Sequence, residues 1–220
     1  MSNYKNILLL GAGGHCLSVL DSLMELAWYD KIGVVDKNYS SENAGNCNPC
    51  LEKFMVGDDS DLPRLFSEGY TNAFITVGSI GNTSSRRKLY LLLKQIGYQM
   101  PNIIDCNGVV SKNASLGEGI YVGKNAVINA FSEVGNCAIL NTSSTIEHEC
   151  KIGDFVHIAP GCTLCGNVQV EEDTHIGAGS VIKQGIHIGK NTMIGMGSVV
   201  LGDIKSGVTA FGSPCKEVKS

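Results

Sequence analysis

The chain has 220 residues, 17% of them charged, and a net charge of −4. That length suits one large domain or two small ones, each with its own core. The acidic balance argues against nucleic acid or an anionic membrane as the main partner. Glycine is abundant, at 27 residues against 5 prolines; without a G-X-Y period this excludes collagen and points to many tight corners. No apolar run approaches the roughly 18 residues of a membrane span, and the residues before Gly11 lack the cleavage chemistry of a signal peptide. The nine cysteines are odd in number and scattered through apolar segments, as expected of buried thiols in a reduced, cytoplasmic protein.

Ile7-Leu8-Leu9-Leu10 reads as a buried strand over 5–10, followed by the turn Gly11-Ala12-Gly13-Gly14-His15. Residues 15–28 carry Leu17, Leu20, Leu23, Met24 and Ala27 at helical spacing. A second strand spans 31–36 and ends in Asp36; residues 38–51, rich in Asn, Ser and Gly, are expected to be a disordered loop. A third strand covers 73–78 and a helix Ser84–Ile96, after which 100–105 leads onward. Short strands alternating with helices imply a small parallel sheet. A glycine turn between first strand and helix can seat a phosphate on backbone N–H groups. The dinucleotide fingerprint is incomplete, because Cys16 stands where the third glycine belongs. Asp36 nonetheless ends the second strand, where an acid meets a ribose hydroxyl. So few strands suit one nucleotide rather than NAD.

From Val110 to Val200 every sixth residue is Val, Leu or Ile. Neither a helix, at about 3.6 residues, nor a simple strand, at 2, produces a strict six. A short strand, a turn and a corner do. Glycine or asparagine often follows the aliphatic residue (Gly117, Gly123, Asn129, Asn141, Gly177), types that tolerate a left-handed corner. The position two before it is small, as at Ala126, Ser144, Cys162 and Ser180, which lets coils stack closely. This is a hexapeptide parallel β-helix with three hexads per triangular coil and about five coils. The hexads alone establish only this fold, which also serves scaffolds.

A group transferase needs a base, and histidine is the usual one near neutral pH. Of the five histidines, His148 is flanked by Glu147 and Glu149, whereas His157, His175 and His187 each precede a hexad aliphatic. A carboxylate bonded to one ring nitrogen would fix the tautomer and raise the basicity of the other. Neighbouring side chains alternate in direction, so either glutamate can be the one. Two C-x-x-C pairs, Cys47/Cys50 and Cys162/Cys165, have zinc-ligand spacing, but Cys162 fills the small slot of the repeat, and no metal is expected.

Three stretches taken together carry a resemblance: Gly11-Ala-Gly-Gly-His15, Val77-Gly78, and Asn141-Thr-Ser-Ser-Thr-Ile-Glu-His148-Glu-Cys150-Lys-Ile-Gly-Asp-Phe-Val-His157-Ile-Ala-Pro-Gly161. They resemble the bacterial sugar acyltransferases, closest to the UDP-4-amino-sugar N-acetyltransferases of bacillosamine synthesis. GDP-perosamine N-acetyltransferases and sialic acid O-acetyltransferases are relatives. The resemblance implies a Rossmann-like nucleotide-sugar domain over 1–105 and a left-handed parallel β-helix over 106–220. It implies acetyl-CoA as co-substrate and a homotrimer with CoA between neighbouring solenoids. His148 would be the catalytic base, supported by Glu149. His157 would meet the thioester end of acetyl-CoA, and Gly166, Ala178 and Met196 would line the pantetheine groove. Gly212-Ser213-Pro214-Cys215-Lys216 resembles the closing G-x-P-A-K segment, which puts Lys216 near the adenine end. Gly13, Gly14 and His15 would hold the sugar-nucleotide phosphates, Asp36 and Lys37 the nucleoside, and Gly78 the base or sugar. The implied activity is N-acetylation of a UDP-linked 4-amino sugar, with O-acetylation of a sialic-acid-like sugar as the alternative.

Overall fold

The computed structural model describes residues 6–39 and 48–218. They group into two compact units: Gly78 and the residues before it with Ser84–Pro101, and Ser79–Thr83 with everything from Asn102 onward. Among the described residues no helix is long and apolar enough to cross a membrane.

In the first unit, β1 (Asn6–Leu10) leads to α1 (Gly14–Leu26), β2 (Lys31–Val35), β3 (Met55–Gly57), α2 (Leu62–Ser67), β4 (Asn72–Ile75) and α3 (Ser84–Ile96). The strands are parallel in the order β3-β2-β1-β4. Ile7 to Leu10 are wholly buried, as the continuous apolar run of a parallel strand covered on both faces requires. The strand β3 was not anticipated, since three residues are too few to show a period. The expected loop at 38–51 falls largely on residues 40–47, outside the described residues. Sheet order reverses between β1 and β4, so their carboxyl ends open a crevice. Gly11 turns the chain there at φ 107°; a Cβ at this position would lie 2.6 Å from Val77 Cγ2.

In the second unit, two-residue strands stack into three parallel sheets, each pairing with the strand 18 residues away as far as Val199–Val200, and Met193–Ile194 pairs with the four-residue strand Thr209–Gly212, 16 residues on. Face one runs from Ile103–Ile104 through Ile139–Leu140, His157–Ile158, His175–Ile176 and Met193–Ile194 to Thr209–Gly212. Face two contains Val127–Ile128, Thr145–Ile146, Thr163–Leu164 and Val181–Ile182, and face three Glu133–Val134, Lys151–Ile152 and Gln169–Val170. The second residue of each strand points inward, and from Val122 onward the hexad aliphatics form one buried core. Face one ends in a reversed strand, Cys215–Val218, antiparallel to Thr209–Gly212.

The corners correct one expectation. Positive φ does not fall on the residue after the aliphatic but two further on, at every sixth residue from Gly119 to Gly197. Nine of these residues are not glycine, among them Phe131, Glu149 and Phe155. Glycine right after the aliphatic answers a different demand, the close approach of the next coil. A Cβ on Gly177 would lie 2.5 Å from Met196 N, and one on Gly153 2.6 Å from Glu172 N.

Candidate active site

The first unit has a pocket of about 460 Å³ at the carboxyl ends of its strands. Gly13, Gly14, His15, Asp36, Lys37 and Gly78 all line it. Gly13 is the N-cap of α1, with no side-chain cap bond and no acidic residue in the first turn. A Cβ at Gly13 or Gly14 would meet nothing within 4 Å, so these amides are open to an anion at the positive end of the helix dipole. Asp36 braces the turn: Ala12 N donates to its Oδ2 at 2.8 Å and Asn38 N to its Oδ1 at 2.9 Å. Cys16, in place of the third glycine, is wholly buried, and burial pushes its thiol up to about 11.

The wall also contains residues that no motif signalled: Asp59, Thr76, Ser85, Lys88 and Leu89. Asp59 belongs to a 3-10 turn, Asp59–Asp61, that follows β3. Burial first, then the charges of Asp36 and Asp58, raises its carboxyl above the usual range, against the pull of Lys37.

In the second unit, His148 stands at the edge where face two turns into face three. Its Nδ1 is 3.0 Å from Glu149 Oε2, and since a carboxylate accepts, Nδ1 carries a proton and Nε2 is the nitrogen left outside that bond. This answers which glutamate orients the ring. Glu149 sits in the left-handed corner at φ 61°, and its N–H is tied to Ala130 O at 3.0 Å. Glu147 is engaged elsewhere, accepting from Asn129 Nδ2 at 2.9 Å. One coil on, Gly166 is buried against the His148 ring.

His157 lies on face one, opposite that edge. Its Nδ1–H donates to Ser79 O at 2.9 Å, and its Nε2 faces Asn141 Nδ2 at 3.4 Å. Thr142 N donates to Asn141 Oδ1 at 2.8 Å, which fixes the amide so that its nitrogen turns to the imidazole. The His157 ring meets His175 edge-on at 4.8 Å. Ser79 belongs to Ser79–Thr83, which lies along the outer row of face one: a Cβ at Gly81 would touch Met193, and Thr83 Oγ1 donates to Asp173. No sequence signal marked this strap.

Ala178 and Met196 are exposed on the edge between faces one and two, and Lys216 is exposed on the reversed strand. Residues expected to share one acetyl-CoA thus divide between two edges and a face. Of the cysteine pairs, Cys47 lies outside the described residues, and Cys162 is buried with its thiol 3.1 Å from Gly177 O.

Comparison with known proteins agrees in both units. Residues 6–93 match the PglD N-terminal domain, and 149–184 and 167–202 match the bacterial transferase hexapeptide of six repeats. Among solved structures, PerB from Caulobacter crescentus, in complex with CoA and GDP-perosamine, is 32% identical with a TM-score of 0.85, covering 97% of each chain. The acetyltransferase domain of PglB from Neisseria gonorrhoeae, in complex with acetyl coenzyme A, is 30% identical with a TM-score of 0.86, over 97% of this chain and 99% of that one. WeeI from Acinetobacter baumannii is 27% identical with a TM-score of 0.84, over 97% and 100%. A glycine-turn parallel-sheet unit joined to a three-faced hexapeptide solenoid, with full-length likeness above 30%, makes this chain a member of the left-handed β-helix sugar N-acetyltransferases.

Proposed function

We propose that the enzyme transfers the acetyl group of acetyl-CoA to the 4-amino group of an amino-deoxy sugar carried on a nucleoside diphosphate, with His148 as general base. The observation that carries this reading is the His148–Glu149 bond of 3.0 Å, which leaves Nε2 basic at an exposed edge. The neutral amine attacks the thioester carbonyl, the C–N bond forms as the C–S bond breaks, Nε2 takes the ammonium proton, and CoA leaves as thiolate. Glu149 stabilises the resulting imidazolium. Direct transfer is favoured over a cysteine relay because burial pushes the Cys150 thiol up to about 11, far from a neutral-pH nucleophile. The CoA and acetyl-CoA complexes of the relatives support the donor. The bacillosamine branch implies UDP, whereas PerB is seen with GDP-perosamine.

We propose further that the working form is a homotrimer. His148 and Gly166 lie on the edge opposite face one, which carries His157. If all three serve one acetyl-CoA, they come from two copies. Mixing His148→Ala with His157→Ala subunits should then restore part of the lost rate.

The primary test is release of free CoA thiol with UDP-4-amino-4,6-dideoxy sugars, GDP-perosamine and sialic acids as acceptors. Turnover of an amino sugar, reduced roughly 10²-fold or more in His148→Ala, is expected. Turnover of sialic acid alone would establish O-transfer instead. Full rate in the variant would remove His148 from the mechanism.

A further inference from the structure

Resting on the nucleotide-sugar reading of the first-unit pocket, we infer that Asp59, together with Lys37, reads the base of the nucleotide and selects guanine. Four carboxylates gather after β2 and β3, Asp36 and Asp59 on the pocket wall and Asp58 and Asp61 at the turn that carries Asp59, and three of the four are consumed by the fold itself. Asp36 accepts from Ala12 N and Asn38 N. Asp58 Oδ1 accepts from Ser60 N at 2.8 Å and Ser60 Oγ at 2.6 Å. Asp61 accepts from Asp58 N and pairs with Arg64. Asp59 is half-buried on the pocket wall and has no hydrogen-bond partner among the described residues. A half-buried carboxylate without a donor is incompletely compensated, and a donor brought by the ligand supplies what is missing.

The sheet order decides which part of the ligand reaches it. Phosphates belong at the open amides of Gly13 and Gly14, at the N-terminus of α1 and above β1. Ser85 and Lys88, on α3 after β4, stand on one side of that point; Asp36 and Lys37 after β2, then Asp59 after β3, stand on the other. The nucleoside therefore runs toward Asp59.

Base chemistry then discriminates. Guanine presents N1–H and the 2-amino group side by side, matching the two oxygens of one carboxylate, with O6 alongside for an ammonium. Lys37 is near enough for its charge to act on Asp59. Uracil offers a single N–H between two carbonyls, one of which would face the second carboxylate oxygen. Cytosine and adenine place a ring acceptor beside their amino group, with the same conflict.

The test is calorimetric titration of the whole protein with GDP, IDP and UDP, where IDP is GDP without the 2-amino group. The wild type is expected to bind GDP about tenfold or more tightly than either of the others. Asp59→Asn, which keeps the shape but loses one acceptor, should weaken GDP about tenfold and bring the GDP/IDP ratio near one, moving UDP less than about threefold. Equal binding of GDP and IDP by the wild type, or preference for UDP, would overturn base reading by Asp59 without recourse to any variant. An equal loss for all three in Asp59→Asn would do the same while leaving the pocket a nucleotide site. No binding of any diphosphate would overturn the inference and the nucleotide reading together.

Discussion

Gly166 stands one coil beyond His148 and leaves no room for a side chain: a Cβ there would lie 2.5 Å from both Cε1 and Nε2 of the imidazole. The imidazole is thus seated by an absence of atoms as well as by Glu149. Gly166→Ala must shift the ring, and displacement by about 1 Å costs on the order of 10² in rate. We expect kcat to fall by about that factor with only a modest change in unfolding midpoint. An unchanged kcat would show that the ring has another productive seat.

The two glutamates beside His148 should separate cleanly. Glu149→Gln removes the charge that holds Nδ1–H and would steady an imidazolium, so kcat should fall about tenfold or more. Glu147→Gln leaves His148 untouched, because Glu147 faces Asn129; its rate should stay within about threefold of wild type. Equal losses in steady-state kinetics would mean that both act on the ring.

Cys150 lies two residues from His148 but points into the core, its thiol 3.3 Å from Cys165 O. Cys150→Ala should retain turnover within about threefold while losing roughly 1 kcal/mol of stability to the small cavity. Loss of acetyl transfer in a correctly folded variant would revive a covalent relay.

His175 gives the stability curve a direction. Burial lowers its pKa below the ordinary 6.5, and its Nδ1 has no partner among the described residues. As pH falls the unfolded chain takes up this proton first, so the contribution of neutral His175 is complete above about 6.5 and lost below it. Urea midpoints should decline from pH 7.5 to 5.5, by up to about 1.4 kcal/mol per pH unit from this group. His175→Phe, which preserves an aromatic edge against His157, should flatten that decline. An identical slope in the variant would assign the loss to other groups.

The solenoid was legible because its core admits only one kind of residue at one position in six, and from Val122 to Val200 those positions are all buried. The left-handed corner was not legible, since it accepts Phe131, Cys137 and Glu149 as readily as glycine; stacking against neighbouring coils overrides the residue's own preference. For the same reason the choice between Glu147 and Glu149 was hidden: it depends on the backbone at residue 149 and on Asn129, one coil away. The glycine turn and Asp36 announced the first-unit pocket. Asp59 did not, because it follows a three-residue strand and is part of an acid run that reads as solvated surface.

The reversed strand at the end of face one has a consequence for how copies of this molecule coexist. A stack of parallel two-residue strands is a template on which another chain can lay its own strands, and repetition of that step builds a fibre. Cys215–Val218 runs against the stack and turns Lys216 and Glu217 outward. A newcomer on that face meets the wrong direction and two charges, so growth along the axis stops there.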